Sequence, residues 1–497
     1  MPIQLLSPGT TQFLAASPHK LLIGGEWMAA TSGETFTSIN PSDGTPLAEL
    51  SSAGTADVDR AVTAAGRAFE AGWGDMPPVQ RESLLRRLGD LITAHADELA
   101  ELESLDNGKP IHHTRLIDSR VAPRQVYHFA GWPSKIAGRT PAVSIPGHFV
   151  YTRREPLGVA AIIIPWNYPL IHSMQKLSPA LACGNTIILK PAQLASLAVL
   201  RLGELIQEAG FPPGVVNIIT GRGSVIGAAL AAHPGINKIQ VTGSTSVGRS
   251  VVQASAGNLK RLALELGSKA PNIIFADADL EAAIAGAFKA GFGNTGQSCV
   301  AGARLFVQRP IFDEVVTRLV EMTKTVKIGH ALDPETELGP IVDEVQTDTI
   351  LNYIKSGVEQ GAKLLCGGRR MREGDYAKGF YIEPAIFTGL RDELVIAREE
   401  IFGPVLPIFP FETEAEAIAR ANATEYGLAA GVWTRDIARA YRVSAGIKAG
   451  VVWVNTYDLF DPAAPFGGFK GSGYGRDNGE EVIELYTEVK SVWVALK

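Results

Sequence analysis

The sequence predicts an α/β protein built on parallel-sheet units, and three observations predict it. From about residue 156 onward, short apolar segments alternate with helical stretches. These segments end in polar or glycine residues, where open α/β sheets usually bind ligands. Two glycine-rich turns, GRGSVIG at 221–227 and GSTSVG at 243–248, each follow such a segment.

Taken in order, residues 22–50 read as short strands and turns, punctuated by Gly24-Gly25 and by PSDG at 41–44. Thr55 is the expected N-cap of a helix that carries Val58, Val62, Ala65 and Phe69 on one face. A second long amphipathic stretch covers roughly 79–103. Strands are expected at 159–164, 185–190, 215–219 and 238–242, with a helix at 192–209 between the second and third. A second α/β region starts after Gly267, with strands at 272–275 and 303–307 and helices at about 279–291 and 310–325. Segments 451–454 and 490–497 also read as strands, the last positioned to pair outside its own domain. No internal repeat is evident.

Composition narrows the function classes. A chain of 497 residues with 46% hydrophobic and 20% charged residues suits a soluble protein of two or three domains. A net charge of -6 implies no general attraction to nucleic acid or to an anionic membrane. The N-terminus lacks a signal-peptide pattern and no apolar run approaches membrane-spanning length, so a cytoplasmic location is expected. Three scattered cysteines and nine histidines without HExxH spacing predict neither disulfides nor a metal centre. His112 and His113 read as packing or solvent-facing residues, and Cys183 and Cys366, in apolar segments, as core.

Cys299 stands apart, in FGNTGQSCVAG at 292–302, where a small molecule could approach a thiol closely. A thiol is a useful nucleophile only as thiolate, so it needs a lowered pKa or a nearby base. Glu265, in the otherwise apolar LALELG at 262–267, is a candidate base, because burial would raise its pKa. Asn167 follows the Ile-rich strand and could donate to an oxygen gaining negative charge, or simply form an Asx turn before Pro169. Lys190 ends the next strand, where it could bind ribose hydroxyls or face solvent before Pro191. Of the two turns, 221–227 is one residue longer than the usual dinucleotide fingerprint. The turn at 243–248 opens a helix, so its backbone N–H groups and Ser244 could hold a pyrophosphate.

Together, PWNYP (165–169), ILKP (188–191), VTGSTSVG (241–248), LELGSKAP (264–271), GQSC (296–299), EIFGPV (400–405) and PFGGFKGSG (465–473) occur in an order that closely resembles the NAD(P)-dependent aldehyde dehydrogenase superfamily, over nearly the whole chain. The resemblance implies an aldehyde dehydrogenase-like fold with a Rossmann-type cofactor domain at 1–138 and 159–267 and an α/β catalytic domain at 268–482. A small β bridging segment would combine 139–158 with 483–497, and its edge predicts a homo-oligomer, either a dimer or a dimer of dimers. It implies oxidation of a small-molecule aldehyde to the acid, with Cys299 as nucleophile, Asn167 and the Cys299 backbone N–H as oxyanion hole, and Glu265 activating water. Lys190 and Gln193 would meet the adenosine ribose, Ser244 and Trp166 the pyrophosphate, Glu400 the nicotinamide ribose, and Phe402 the nicotinamide half. Ile164, Gly223, Gly227, Gly243 and Val247 complete the implied cofactor wall.

Departures from the family pattern bear on specificity. Gln193 stands where many NAD-preferring members carry Glu, which removes the repulsion of a 2'-phosphate; NAD is the expected cofactor and NADP the alternative. The implied substrate tunnel holds Tyr168, Ile171, His172, Gln175, Gly293, Val300, Phe460 and Phe466. Positions 175 and 293 are often bulky aromatics in acetaldehyde and betaine aldehyde enzymes, so this tunnel reads as wider and more polar and favours a bulky or aromatic aldehyde. Two alternatives are transfer of the acyl group to coenzyme A, which Glu265 argues against, and a non-catalytic protein retaining the fold, which the intact thiol and cofactor residues argue against.

Overall fold

The computed structural model describes residues 6–496 and contains two large sheets and three two-stranded ribbons, one of which joins the middle of the chain to its C-terminal segment. Residues 1–5 of the expected first domain and Lys497 of the expected C-terminal strand lie outside the described residues.

The first sheet has eight strands. Its five central members run parallel in the spatial order Val216–Ile218, Thr186–Lys190, Val159–Ile163, Lys238–Thr242, Arg261–Glu265. Chain order therefore reverses between Val159–Ile163 and Lys238–Thr242, which makes their carboxyl ends a topological switch point, the usual ligand crevice of a doubly wound sheet. Antiparallel strands Leu21–Ile23 and Gly473–Tyr474 flank the five. Successive residues face opposite sides: Ile187 and Leu189 enter one hydrophobic core while Ile188 enters another. Both faces are covered, as a parallel sheet of β-branched residues requires.

The second sheet has seven strands, with Pro271–Ile274 and Arg304–Gln308 at its centre beside Val405–Phe411 and Ala429–Trp433. It is covered on both faces in the same way: Ile274 packs to one side, Ile273 and Phe275 to the other. That joining ribbon pairs His148–Pro156 antiparallel with Thr487–Ala495. No helix among the described residues is long and apolar enough to cross a membrane.

Three local expectations are corrected. The helix Thr55–Ala68 takes Gly54 as N-cap, not Thr55, because the Asp57 carboxylate reaches back to accept the Gly54 N–H at 3.0 Å. The stretch at 79–103 is two helices, Pro78–Ala94 and Ala96–Asn107, broken where His95 leaves helical geometry (φ -103°, ψ 21°). The helix expected from 192 starts at Leu197, since 192–195 close a turn and Asp106, from the helix Ala96–Asn107, accepts the Leu197 N–H at 2.7 Å.

Candidate active site

The carboxyl ends of the first sheet open into a cleft of about 880 Å³ whose far wall is the helix Glu344–Glu359 and the loop before the second-sheet strand Val405–Phe411. Trp166 and Asn167 enter it directly after Val159–Ile163, and Asn107 Nδ2 holds the Trp166 carbonyl at 3.1 Å. Across the switch point, Gly243 and Ser244 precede the helix Thr245–Ala254, whose free N–H groups and positive end suit an anion. Ser244 is also the N-cap, accepting the Val247 N–H at 3.3 Å. Lys190 is 4% exposed, and burial lowers its pKa to about 8. A Cβ at Gly223 would lie 3.6 Å from its Nζ, so that glycine leaves room beside the ammonium.

From the far wall come Glu400 and Phe402, the latter edge-on to Trp166 with ring centroids 5.3 Å apart. Glu400 accepts the Ser268 N–H at 2.8 Å, and burial pushes its carboxyl up to about 7. Ile164, Gly227 and Val247 complete the lining, so an ammonium, a helix N-terminus and a carboxylate line one long groove, a donor set that fits a dinucleotide. Gln193 is half-buried and outside this lining; its neighbour Ala192 is part of it.

Cys299, Glu265 and Asn167 all border the same cleft. The thiol follows an abrupt turn in which Asn294, Thr295 and Gly296 all have positive φ. At Gly296 a Cβ would come within 2.2 Å of the Gly403 carbonyl, so glycine is required there for space as well as for φ. Asn167 donates one amide hydrogen to the Gln297 carbonyl at 3.1 Å, which orients the side chain two residues before the thiol.

Electrostatics in this state disfavour ionisation of both the thiol and the carboxyl. Burial pushes the Cys299 thiol up to about 12, and the carboxyls of Glu400, Glu265 and Asp458 add to it while Lys176 opposes. Burial also raises Glu265 well above the usual carboxylate range, with Asp477 adding and Lys176 and Arg476 opposing. Glu265 is 3% exposed and its Oε2 has no hydrogen-bond partner among the described residues. The buried Lys176–Asp477 pair, 2.6 Å apart, therefore sets the local field on the candidate base.

The aldehyde dehydrogenase family profile matches residues 27–492. The chain belongs to the aldehyde dehydrogenase family. Retinal dehydrogenase 2 from Gallus gallus is 46% identical over 496 residues, covering 99% of this chain and 94% of that protein. Mitochondrial aldehyde dehydrogenase from Homo sapiens is 46% identical over 503 residues, covering 99% and 96%. Among solved structures, the NAD+ complex of aldehyde dehydrogenase from Bacillus cereus matches at a TM-score of 0.97 and 46% identity, covering 100% of both chains. As a member of this family the chain is an enzyme that oxidises an aldehyde to a carboxylic acid with NAD(P), on the Rossmann-type, catalytic and bridging-sheet fold its motifs implied.

This aldehyde dehydrogenase has a second cavity, of about 280 Å³, beside the thiol's neighbours Ser298 and Val300. Tyr168, Phe288, Phe292 and Tyr457 supply aromatic walls. Of the residues expected in the tunnel, Tyr168, Gly293 and Val300 line it. A Cβ at Gly293 would meet nothing within 4 Å, so the missing side chain there is open space. Ile171, His172, Gln175, Phe460 and Phe466 do not line it. His172 and Gln175 are buried on the helix Pro169–Ala182, while Phe460 packs edge-on against Phe466 with centroids 5.3 Å apart.

Several residues of the site had no signal in the sequence. His112 and His113 line the second cavity with Lys289 and Asp458. Gln346, Thr349 and Tyr353, from the helix Glu344–Glu359, close one side of the cofactor cleft. An ordinary amphipathic helix carries them, so nothing in local spacing marks them. Lys176 and Asp477 could have been sought as counter-charges once Glu265 was read as buried. Of the other thiols, Cys183 is buried, and Cys366 is half-buried with its Sγ 3.2 Å from Thr323 Oγ1.

Proposed function

We propose that this enzyme oxidises a bulky or aromatic aldehyde to its carboxylic acid through a thiohemiacetal and a thioacyl intermediate on Cys299, with NAD preferred. The observation that carries this reading is that Cys299 borders the cofactor cleft together with Glu265 and Asn167, while its chain neighbours Ser298 and Val300 line the second cavity. In the first step the Cys299 sulfur bonds to the aldehyde carbon and its proton passes to solvent water, which reaches the half-buried thiol through the cleft. The carbonyl oxygen takes up the electron pair, and the second amide hydrogen of Asn167 and the Cys299 N–H hold its charge. When bound, the oxidised nicotinamide supplies the hydride acceptor and a positive charge in a carboxyl-rich setting. Glu265 then removes a proton from water as its oxygen attacks the thioacyl carbon, and the Cys299 thiolate leaves.

Cofactor roles follow the groove. Lys190 and Gln193 serve the adenosine ribose, Ser244, Gly243 and Trp166 the pyrophosphate, Glu400 the nicotinamide ribose and Phe402 the ring. A neutral Gln193 leaves NADP as a second cofactor. The domain division at 1–138 with 159–267, 268–482, and 139–158 with 483–497 remains our reading, qualified by the pairing of Gly473–Tyr474 with the first sheet. The ribbon exposes Phe149, Val489 and Trp493, and a two-stranded ribbon with apolar residues on its surface calls for a partner, so we assign a homodimer or a dimer of dimers.

A panel of aldehydes assayed with NAD and NADP, by appearance of the reduced cofactor, tests the substrate and cofactor readings together. A strong preference for acetaldehyde would overturn the bulky-substrate reading. Turnover that strictly requires coenzyme A would overturn the hydrolytic step.

A further inference from the structure

Lys269 is 1% exposed, and its Nζ has no hydrogen-bond or ion-pair partner among the described residues. A lone buried ammonium is strongly disfavoured unless a counter-charge faces it. Arg304 makes matters worse: it donates to the Lys269 carbonyl at 2.9 Å and adds a second cation, though its other nitrogens are held by the Arg420 and Ala421 carbonyls. Two carboxylates act on Lys269, Glu400 and Glu399. Glu399 is exposed and accepts the Tyr353 hydroxyl at 2.8 Å. Glu400 is the one turned inward. Its Oε1 accepts the N–H of Ser268, the residue before Lys269, and a Cβ at Gly267 would come within 2.4 Å of its Oε2. Ser268, Lys269 and Glu400 share one small internal cavity of about 10 Å³.

We propose that Lys269 is a positioning residue of the cofactor site, whose ammonium keeps the Glu400 carboxylate ionised and seated on the Ser268 N–H, ready to accept the ribose hydroxyls. This rests on the reading of Glu400 as the ribose ligand. The charge balance agrees with it. Burial pushes Glu400 up to about 7, opposed by the Ser268 N–H and Lys269, and burial with Arg304 pushes Lys269 down to about 7, opposed by Glu400 and Glu399. The other groups that feel Glu400 are Tyr353, Tyr426 and Cys299, each raised to about 12 and uncharged near neutrality. Lys269 is therefore the cation that decides whether Glu400 is an acceptor or a protonated, weaker one.

The experiment is calorimetric titration of the full-length enzyme with NAD at about pH 7 and about pH 9, together with thermal unfolding, for Lys269→Met, Lys269→Arg, Glu400→Gln and the Lys269→Met/Glu400→Gln double variant. Lys269→Met should weaken NAD binding about five- to tenfold at about pH 7, from a rise of roughly one unit in the Glu400 pKa. Near pH 9 it should match wild type at the same pH, because Glu400 then ionises unaided. Lys269→Arg should retain binding, and Lys269→Met should add nothing to Glu400→Gln. Should Lys269→Met unfold, Lys269→Gln carries the same readings. Unchanged affinity at both pH values, a pH-independent loss, or additive losses in the double variant would overturn the proposal. Unchanged affinity in Glu400→Gln alone would instead overturn the ribose assignment.

Discussion

Replacing Asn167 with alanine separates transition-state stabilisation from folding, for a reason visible in the hydrogen bonds. Asn167 donates one amide hydrogen to the Gln297 carbonyl at 3.1 Å, and the other is the one proposed to meet an oxygen held at Cys299. Were Asn167 its sole donor, truncation would orphan the buried Gln297 carbonyl, at a cost of about 1–3 kcal/mol. That carbonyl has a second donor, however: Asn294 Nδ2 lies 3.2 Å away. The Oδ1 of Asn167 is buried without a partner, so its removal also relieves an unsatisfied acceptor. The folding penalty should thus stay under about 1 kcal/mol, while loss of an oxyanion donor lowers kcat about 10²–10³-fold, or about 3–4 kcal/mol. Steady-state kinetics with saturating aldehyde and cofactor measure the first quantity, and thermal unfolding measures the second. A kcat within about fivefold of wild type, with an undisturbed Tm, would refute the oxyanion role; at about 1 kcal/mol it would be too small for a transition-state donor.

Glu265→Gln should leave acyl transfer to Cys299 largely intact and slow deacylation about 10²–10⁴-fold, so rapid mixing should record a burst of about one reduced cofactor per active site; a linear trace with unchanged steady rate would refute the assignment. Gln193→Glu should raise discrimination against NADP by about ten- to hundredfold, the effect of one like charge near a phosphate at roughly 1–3 kcal/mol, read from the ratio of kcat/KM values. The Lys190 pKa is lowered to about 8, so its ammonium is present below that pH and lost above it. Cofactor KM should accordingly rise as pH passes through about 8 in wild type and stay flat in Lys190→Gln, as an initial-rate pH series would record.

The alternation of apolar strands and helices made the first sheet legible because both of its faces are buried, and Lys238–Thr242 has the expected ends. Helix starts were read less well where the cap came from elsewhere: the Asp106 carboxylate that receives the Leu197 N–H is 91 residues away in the chain. The site shows the same division. Cys299, Glu265 and Lys190 carry their chemistry in their own side chains and flanking glycines or apolar runs. Lys176 and Asp477 matter through a pairing across 301 residues, and His112, Lys289 and Asp458 through a shared cavity, so local spacing has no trace of either.

Glu265 and Cys299 belong to different α/β units, which raises the question of what fixes their register. Glu265 ends the last parallel strand of the first sheet, and the chain reaches the second sheet at Pro271, whose first crossover helix, Leu280–Phe292, leads to Cys299. Five residues of connection would leave slack were it not tied. Ser472 supplies the tie: its carbonyl accepts the Leu266 N–H at 3.0 Å, and its hydroxyl donates to the Gly267 carbonyl at 2.7 Å and accepts the Gly427 N–H at 3.0 Å. One buried serine thus joins the strand that carries Glu265, the linker, and the approach to the second-sheet strand Ala429–Trp433. The flanking backbone has no room to shift, since a Cβ at Gly473 would sit 2.0 Å from the Leu264 carbonyl and one at Gly467 would sit 2.7 Å from Glu265 Oε1. The PFGGFKGSG segment therefore clamps the strand end that carries Glu265 to the approach to the second sheet, and its Gly467 and Gly473 are required by close approach to Glu265 and Leu264.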